Sequence, residues 1–221
     1  MIDINVTKFP IVIVANFRTG STALGQYLSN KYKLPFFSEP FHNENIGLFD
    51  DHKKKYMALT LNSINNQFVV KFMPSQISDF NNYEDIFYND GFKIRLNRND
   101  KVDQIVSLYI AEKRDKFFKL KNEFKEKYEI PVDINHMYVV AKVIIRNDFL
   151  LKVLPCKYDI DLIYEDLGTI ENTDHVLTDQ PDNIEELREK IRAILKLQWS
   201  SLKEHLVQSE RFELSTHTTS R

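Results

Sequence analysis

The segment Asn16-Phe-Arg-Thr-Gly-Ser-Thr22 follows directly on the β-branched run Ile11-Val-Ile-Val-Ala15. It precedes a stretch, Ala23 to Tyr32, that reads as a helix with Leu24, Tyr27 and Leu28 on one side. A loop joining a buried strand to a helix N-terminus gathers backbone N–H groups and the positive end of the helix dipole, so its natural chemistry is anion binding. Arg18 adds a fixed positive charge, Gly20 lets the backbone approach a phosphate closely, and Ser21 and Thr22 offer hydroxyl donors. The triphosphatase pattern G-x-x-x-x-G-K-[ST] is not met, because Ala15 stands at the first Gly and Ser21 at the Lys. Taken alone, the loop reads more readily as an ordinary βα turn with a Ser/Thr cap.

Other residues of suitable chemistry fall at the ends of expected strands. Lys71 closes the buried run Phe68-Val-Val-Lys-Phe-Met73, which Pro74 stops. Glu39, in Ser38-Glu-Pro-Phe-His42, ends a short strand expected at Leu34–Phe37 and faces the same sheet edge as Arg18. A carboxylate there would need burial to tune it for proton transfer near neutrality, and its bland role is local capping or pairing. His42 lies close by and titrates in the right range, although a surface role before a polar loop suits it better. Arg98 follows the strand Gly91–Leu96. A helix from about Asp100 carries the stripe Val102, Ile105, Val106 and Tyr109, and Ser107 points away from it, either toward solvent or toward a ligand. Tyr164 closes a last strand from Tyr158.

These residues need a frame. Strands alternating with helices predict an α/β fold, a three-layer parallel sheet covered on both sides with a phosphate site at the C-terminal ends of its strands. Helices are also expected over Lys53–Ile64, over Ile134–Leu154 and from Pro181-Asp182 onward. In the last of these, Asp182 and Glu185 have capping-box spacing, and Ile184, Leu187, Ile191, Ile194 and Leu195 form the core face. Lys113 to Lys127 mixes charges with Phe117, Phe118 and Phe124, the pattern of a solvated amphipathic helix or one lining an acceptor groove. Residues 1–208 are expected to form one domain, and the polar tail from Ser209 to Arg221 to be disordered.

Composition narrows the function. A net charge of -2 disfavours a globally basic nucleic-acid binder, so any anion site must be built from a few placed cations. Cys156 is the sole cysteine, which excludes an internal disulfide and a mainly thiolate zinc site. The histidines show no metal-ligand spacing, and no metal is expected. The apolar run Ile11–Ala15 is too short for a membrane span, so the expectation is a cytoplasmic protein without a membrane partner.

With these residues in place, Phe17-Arg-Thr-Gly-Ser-Thr22 resembles the R-[ST]-G-[ST]-[ST] loop of sulfotransferases that use 3'-phosphoadenosine-5'-phosphosulfate (PAPS), closest to the carbohydrate and bacterial trehalose branch. The string Arg98-Asn-Asp-Lys-Val-Asp-Gln-Ile-Val-Ser107-Leu resembles the segment with which that family grips the 3'-phosphate. Tyr164-Glu-Asp-Leu167 resembles its Y-E-D-[LM] segment near the adenine. Lys71-Phe-Met-Pro74 is similar to the K-[TS]-H-x-P of the steroid enzymes, but Met73 replaces the His that acts there as base. The resemblance implies a sulfotransferase-type, P-loop-like fold using PAPS as co-substrate. Arg18, Thr19, Gly20, Ser21 and Thr22 would hold the 5'-phosphosulfate, and Arg98 and Ser107 the 3'-phosphate. Tyr164 would touch the nucleotide and Glu39 would be the base, while Arg18 and Lys71 stabilise charge. The acceptor would be a hydroxyl on a carbohydrate or other small molecule, and no nucleic acid is implied. The alternatives are a P-loop small-molecule or nucleotide kinase and a non-catalytic nucleotide-binding module.

Overall fold

A β-branched run without polar alternation needs apolar neighbours on both faces, and Ile11–Ala15 has them: as strand β1 it is buried at every residue in the middle of a five-stranded parallel sheet. The computed structural model describes residues 4–40, 59–60, 62, 67–76, 90–115, 119–120, 127–154, 156–168, 175–176 and 180–197. The chain divides into two compact units, Met1–Asn99 with Leu150–Val176, and Asp100–Phe149 with Leu177–Arg221.

In the first unit β1 leads into helix α1 (Ser21–Tyr32), then β2 (Phe36–Ser38), β3 (Val69–Phe72), β4 (Phe92–Asn97) and finally β5 (Ile160–Ile163). The strand order is β2-β3-β1-β4-β5 and every pairing is parallel. From β1 the chain goes to the edge strand β2, whereas β4 precedes the opposite edge strand β5. Neighbouring central strands therefore lead in opposite directions, and the crevice outside their C-terminal ends is where open parallel sheets bind ligands.

The pleat divides the core into two faces. Ile11, Ile13 and Ala15 pack with Val69, Ile94, Leu96 and Leu162 beneath Leu24 and Leu28 of α1. Val12 and Val14 turn the other way, with Phe68, Val70 and Phe72 against Leu151 and Leu154. Gly25 lets α1 lie close to β2, because a Cβ there would stand 2.3 Å from the Phe36 ring. The expected strands at 34–37, 68–73, 91–96 and 158–164 are all present, with ends moved by one or two residues.

The second unit is built on α2 (Lys101–Arg114), most of α3 (Ile134–Val153) and α4 (184–197). Asp100 caps α2 by accepting the Asp103 N–H at 2.9 Å, and Asp133 accepts the His136 N–H at 3.0 Å at the start of α3. Tyr109 donates its hydroxyl to the Pro131 carbonyl at 2.5 Å, and Arg188 of α4 grips Asp103 of α2 with two nitrogens at 2.7 and 3.1 Å.

The structure departs from two expectations. The charged stretch does not continue as a helix to Lys127: α2 ends at Arg114, Asp115 turns left-handed (φ 52), and Lys119–Leu120 is extended. Nor is Asp182 the cap of α4. Leu187 donates to the Asn183 carbonyl, the Asn183 side chain binds both the N–H and C=O of Ile130, and Glu185 pairs with Arg188 instead. Of the helix expected over Lys53–Ile64, residues 59, 60 and 62 are helical and the rest lies outside the described residues, as does the tail from Ser209. Among the described residues no helix is long and apolar enough to cross a membrane, and no group of three or more His, Cys, Asp or Glu could hold a metal ion.

Candidate functional site

Each strand of the sheet delivers one expected side chain to its C-terminal edge. Arg18 follows β1, Glu39 follows β2, Lys71 is penultimate in β3, Arg98 follows β4 and Tyr164 follows β5.

Lys71 is placed by the pleat. It pairs with Ile13 in register and lies between Val70 and Phe72, which face the other way, so its side chain runs under α1. Its Nζ donates to the Thr22 hydroxyl at 2.8 Å and to Glu39 Oε1 at 2.5 Å. Lys71 is 2% exposed, whereas the Glu39 side chain is a quarter exposed, so the carboxylate meets solvent and the ammonium does not. The Glu39 N–H prolongs the ladder by donating to the Lys71 carbonyl at 2.9 Å, and Glu39 then adopts a left-handed backbone (φ 51). Burial pushes the Lys71 pKa below the ordinary lysine value; the charge and hydrogen bond of Glu39 oppose this, and Arg18 adds to it.

The loop after β1 is shaped from within. Asn16 is fully buried; its Oδ1 accepts the Phe17 N–H at 2.7 Å and its carbonyl accepts the Thr19 hydroxyl at 2.8 Å. Arg18 (φ 56) and Gly20 (φ 73) are both left-handed, and only the second is conformationally cheap. Gly20 is the N-cap of α1 and makes no side-chain cap, so this is not the Ser/Thr-capped turn that the sequence also allowed. The first helical bond runs from the Leu24 N–H to the Gly20 carbonyl at 3.0 Å, which leaves the N–H groups of Ser21, Thr22 and Ala23 outside the helical ladder.

Arg98 approaches the same loop from β4. Its Nη1 donates to the Arg18 carbonyl at 3.2 Å, and its guanidinium lies over the Tyr164 ring, 4.6 Å from the centroid. Burial and then the charge of Arg98 lower the Arg18 pKa, with Tyr164 opposing. Holding Arg18, Arg98 and Lys71 near a helix N-terminus concentrates positive potential, and an anion with several charges would relieve the mutual repulsion. The Glu39 carboxylate stands at the rim of that cluster, accepting from the Lys71 ammonium.

Ser107 is half-buried on α2, in the second unit, and His42 lies outside the described residues. Met73 is buried. Thr19 is fully buried with its hydroxyl turned into the loop. Two residues were missed. Asn16 was legible, since Asn commonly binds its own local backbone at a strand end. Glu165, whose carboxylate accepts the Asn99 N–H at 3.1 and 3.2 Å, reaches across 66 positions and gives no local signal.

No protein-family model matches this chain, and no curated protein matches it significantly.

Proposed function

We propose that this chain is a sulfotransferase that moves a sulfuryl group from PAPS to an acceptor hydroxyl, on a carbohydrate or another small molecule. The observation that carries the reading is the buried Lys71 ammonium, held between Thr22 of the Arg18 loop and the Glu39 carboxylate. It brings cations and a proton acceptor together at the crevice of a parallel sheet. The residues fit a nucleotide with two anionic groups: Arg18 and the uncapped first turn of α1 suit the 5'-phosphosulfate in a P-loop-like cradle, and Arg98 suits the 3'-phosphate.

In the proposed step the acceptor oxygen bonds to sulfur while the bond from sulfur to the 5'-phosphate oxygen breaks. The acceptor proton passes to the Glu39 carboxylate. The leaving oxygen takes up negative charge, which Lys71 and Arg18 offset, and 3'-phosphoadenosine-5'-phosphate departs. The demand on the protein is alignment and charge stabilisation, as in phosphoryl transfer. Glu39 becomes the stronger base once Lys71 turns to the nucleotide, because a carboxylate held by an ammonium is a weak base.

The reading is tested by incubating the chain with sulfur-labelled PAPS and a panel of sugars and small alcohols. Label should move to at least one acceptor, and Glu39→Gln and Lys71→Met should each slow transfer by at least about a hundredfold. Transfer that survives both substitutions would overturn the assignment, and phosphoryl transfer from Mg-ATP in its place would make the chain a kinase.

A further inference from the structure

After β5 the chain makes a single 3-10 turn, Tyr164–Asp166, and two of its side chains turn toward the loop that follows β4. The Tyr164 ring lies beneath the Arg98 guanidinium, 4.6 Å from centroid to Cζ. The same ring lies against Gly20, where a Cβ would stand 3.0 Å from its Cδ2 and Cε2 atoms. Glu165 next to it accepts the Asn99 N–H with both carboxylate oxygens, at 3.1 and 3.2 Å. Arg98 itself donates to the Arg18 carbonyl at 3.2 Å. The loops after β1, β4 and β5 therefore meet at the Tyr164–Glu165 pair. Arg98 is held by an aromatic face, by a carbonyl at one nitrogen, and by an anchored backbone at the next residue.

We infer that Tyr164 and Glu165 are positioning residues that hold Arg98 ready for a 3'-phosphate, and so set a preference for an adenosine 3',5'-bisphosphate over a 5'-monophosphate. The inference rests on the nucleotide reading above. A guanidinium already fixed in its fork orientation loses less conformational freedom when it meets phosphate. The role of Glu165 has a sign that separates it from plain electrostatics. A carboxylate beside an anion site repels the ligand, so its removal would tighten binding if charge alone mattered. As an anchor for the Asn99 N–H, its removal weakens binding.

The test is the pair of dissociation constants for adenosine 3',5'-bisphosphate and adenosine 5'-monophosphate, measured by calorimetry on the full chain and its variants. Wild type should prefer the bisphosphate, and Arg98→Ala should abolish the preference. Glu165→Ala should weaken bisphosphate binding about three- to thirtyfold and leave monophosphate binding within about twofold, and Tyr164→Leu should weaken bisphosphate binding more than monophosphate binding. Tyr164→Phe and Glu165→Gln, which keep the ring and the acceptor, should retain the preference. In the Arg98→Ala background neither Tyr164→Leu nor Glu165→Ala should have a further effect. Should Tyr164→Leu fail to fold, Glu165→Ala carries the test. Equal losses for both nucleotides, or tighter bisphosphate binding by Glu165→Ala, would overturn the inference. A preference that depends on Arg98 but ignores both positioning residues overturns it alone. No preference in wild type overturns it together with the nucleotide reading.

Discussion

Removing Glu39 should destabilise the protein more than removing the charge of Lys71. The asymmetry follows from burial: the Lys71 side chain is 3% exposed and that of Glu39 is 25% exposed. Glu39→Gln leaves a buried ammonium without its counter-charge. Breaking a fully buried pair in this way costs about 3–5 kcal/mol, and the partial exposure of Glu39 reduces the expectation to about 2–3 kcal/mol. Lys71→Met removes the buried charge, keeps the apolar stem in the gap beneath α1, and leaves a carboxylate that water can reach. Its cost should be about 1 kcal/mol or less, and Lys71→Met should rescue most of the loss in Glu39→Gln.

The pH dependence has a defined sign. Burial lowers the folded-state pKa of Lys71 below the ordinary 10.5. In the window between those two values the unfolded chain binds the extra proton, so stability rises with pH. Below the folded-state pKa the full penalty of burying the ammonium is present. Glu39→Gln removes the charge that opposes the shift, so its deficit should begin to narrow at a lower pH than any such rise in wild type. Urea denaturation at several pH values, read by tyrosine and tryptophan fluorescence, measures all of this. A Lys71→Met loss equal to or larger than that of Glu39→Gln, or a Glu39→Gln deficit that does not change with pH, would refute the reasoning.

Two further outcomes concern packing and helix ends. Gly25→Ala should lower stability by about 1–3 kcal/mol despite a better helix propensity, because the new methyl meets the Phe36 ring; Gly25→Ala with Phe36→Leu should recover much of it in thermal unfolding. Asn183→Ala should cost about 1–3 kcal/mol through the lost bonds to Ile130, while Asp182→Ala should stay within about 0.5 kcal/mol, a contrast that denaturant titration resolves.

The sheet was readable because its signals are local. Ile11–Ala15 is apolar at every position and ends in a polar loop, so a buried strand, its direction and its following helix were all implied by one segment. Glu39, Lys71, Arg98 and Tyr164 could be read as strand-end residues for the same reason. Their mutual arrangement could not, because strand order is a long-range property: β3 is inserted between β1 and β2 although residues 39–68 separate it from β2 in sequence. The contact of Lys71 with both Thr22 and Glu39 depends on that insertion. The start of α4 was misread because Asp182 and Asn183 are adjacent cap-forming residues, and the choice between them is made by Ile130, far away in the chain. The stop after Arg114 was hidden because Asp115 leaves the helix through a left-handed turn that composition does not reveal.

The most direct test of the central claim is calorimetric titration of the chain with 3'-phosphoadenosine-5'-phosphate beside ATP with Mg2+. A site built from Arg18, Arg98 and Lys71, with Ser21 where a triphosphatase has its Lys, should bind the bisphosphate and show no comparable affinity for Mg-ATP. Binding of Mg-ATP in preference, or no binding of the bisphosphate at all, would contradict the account.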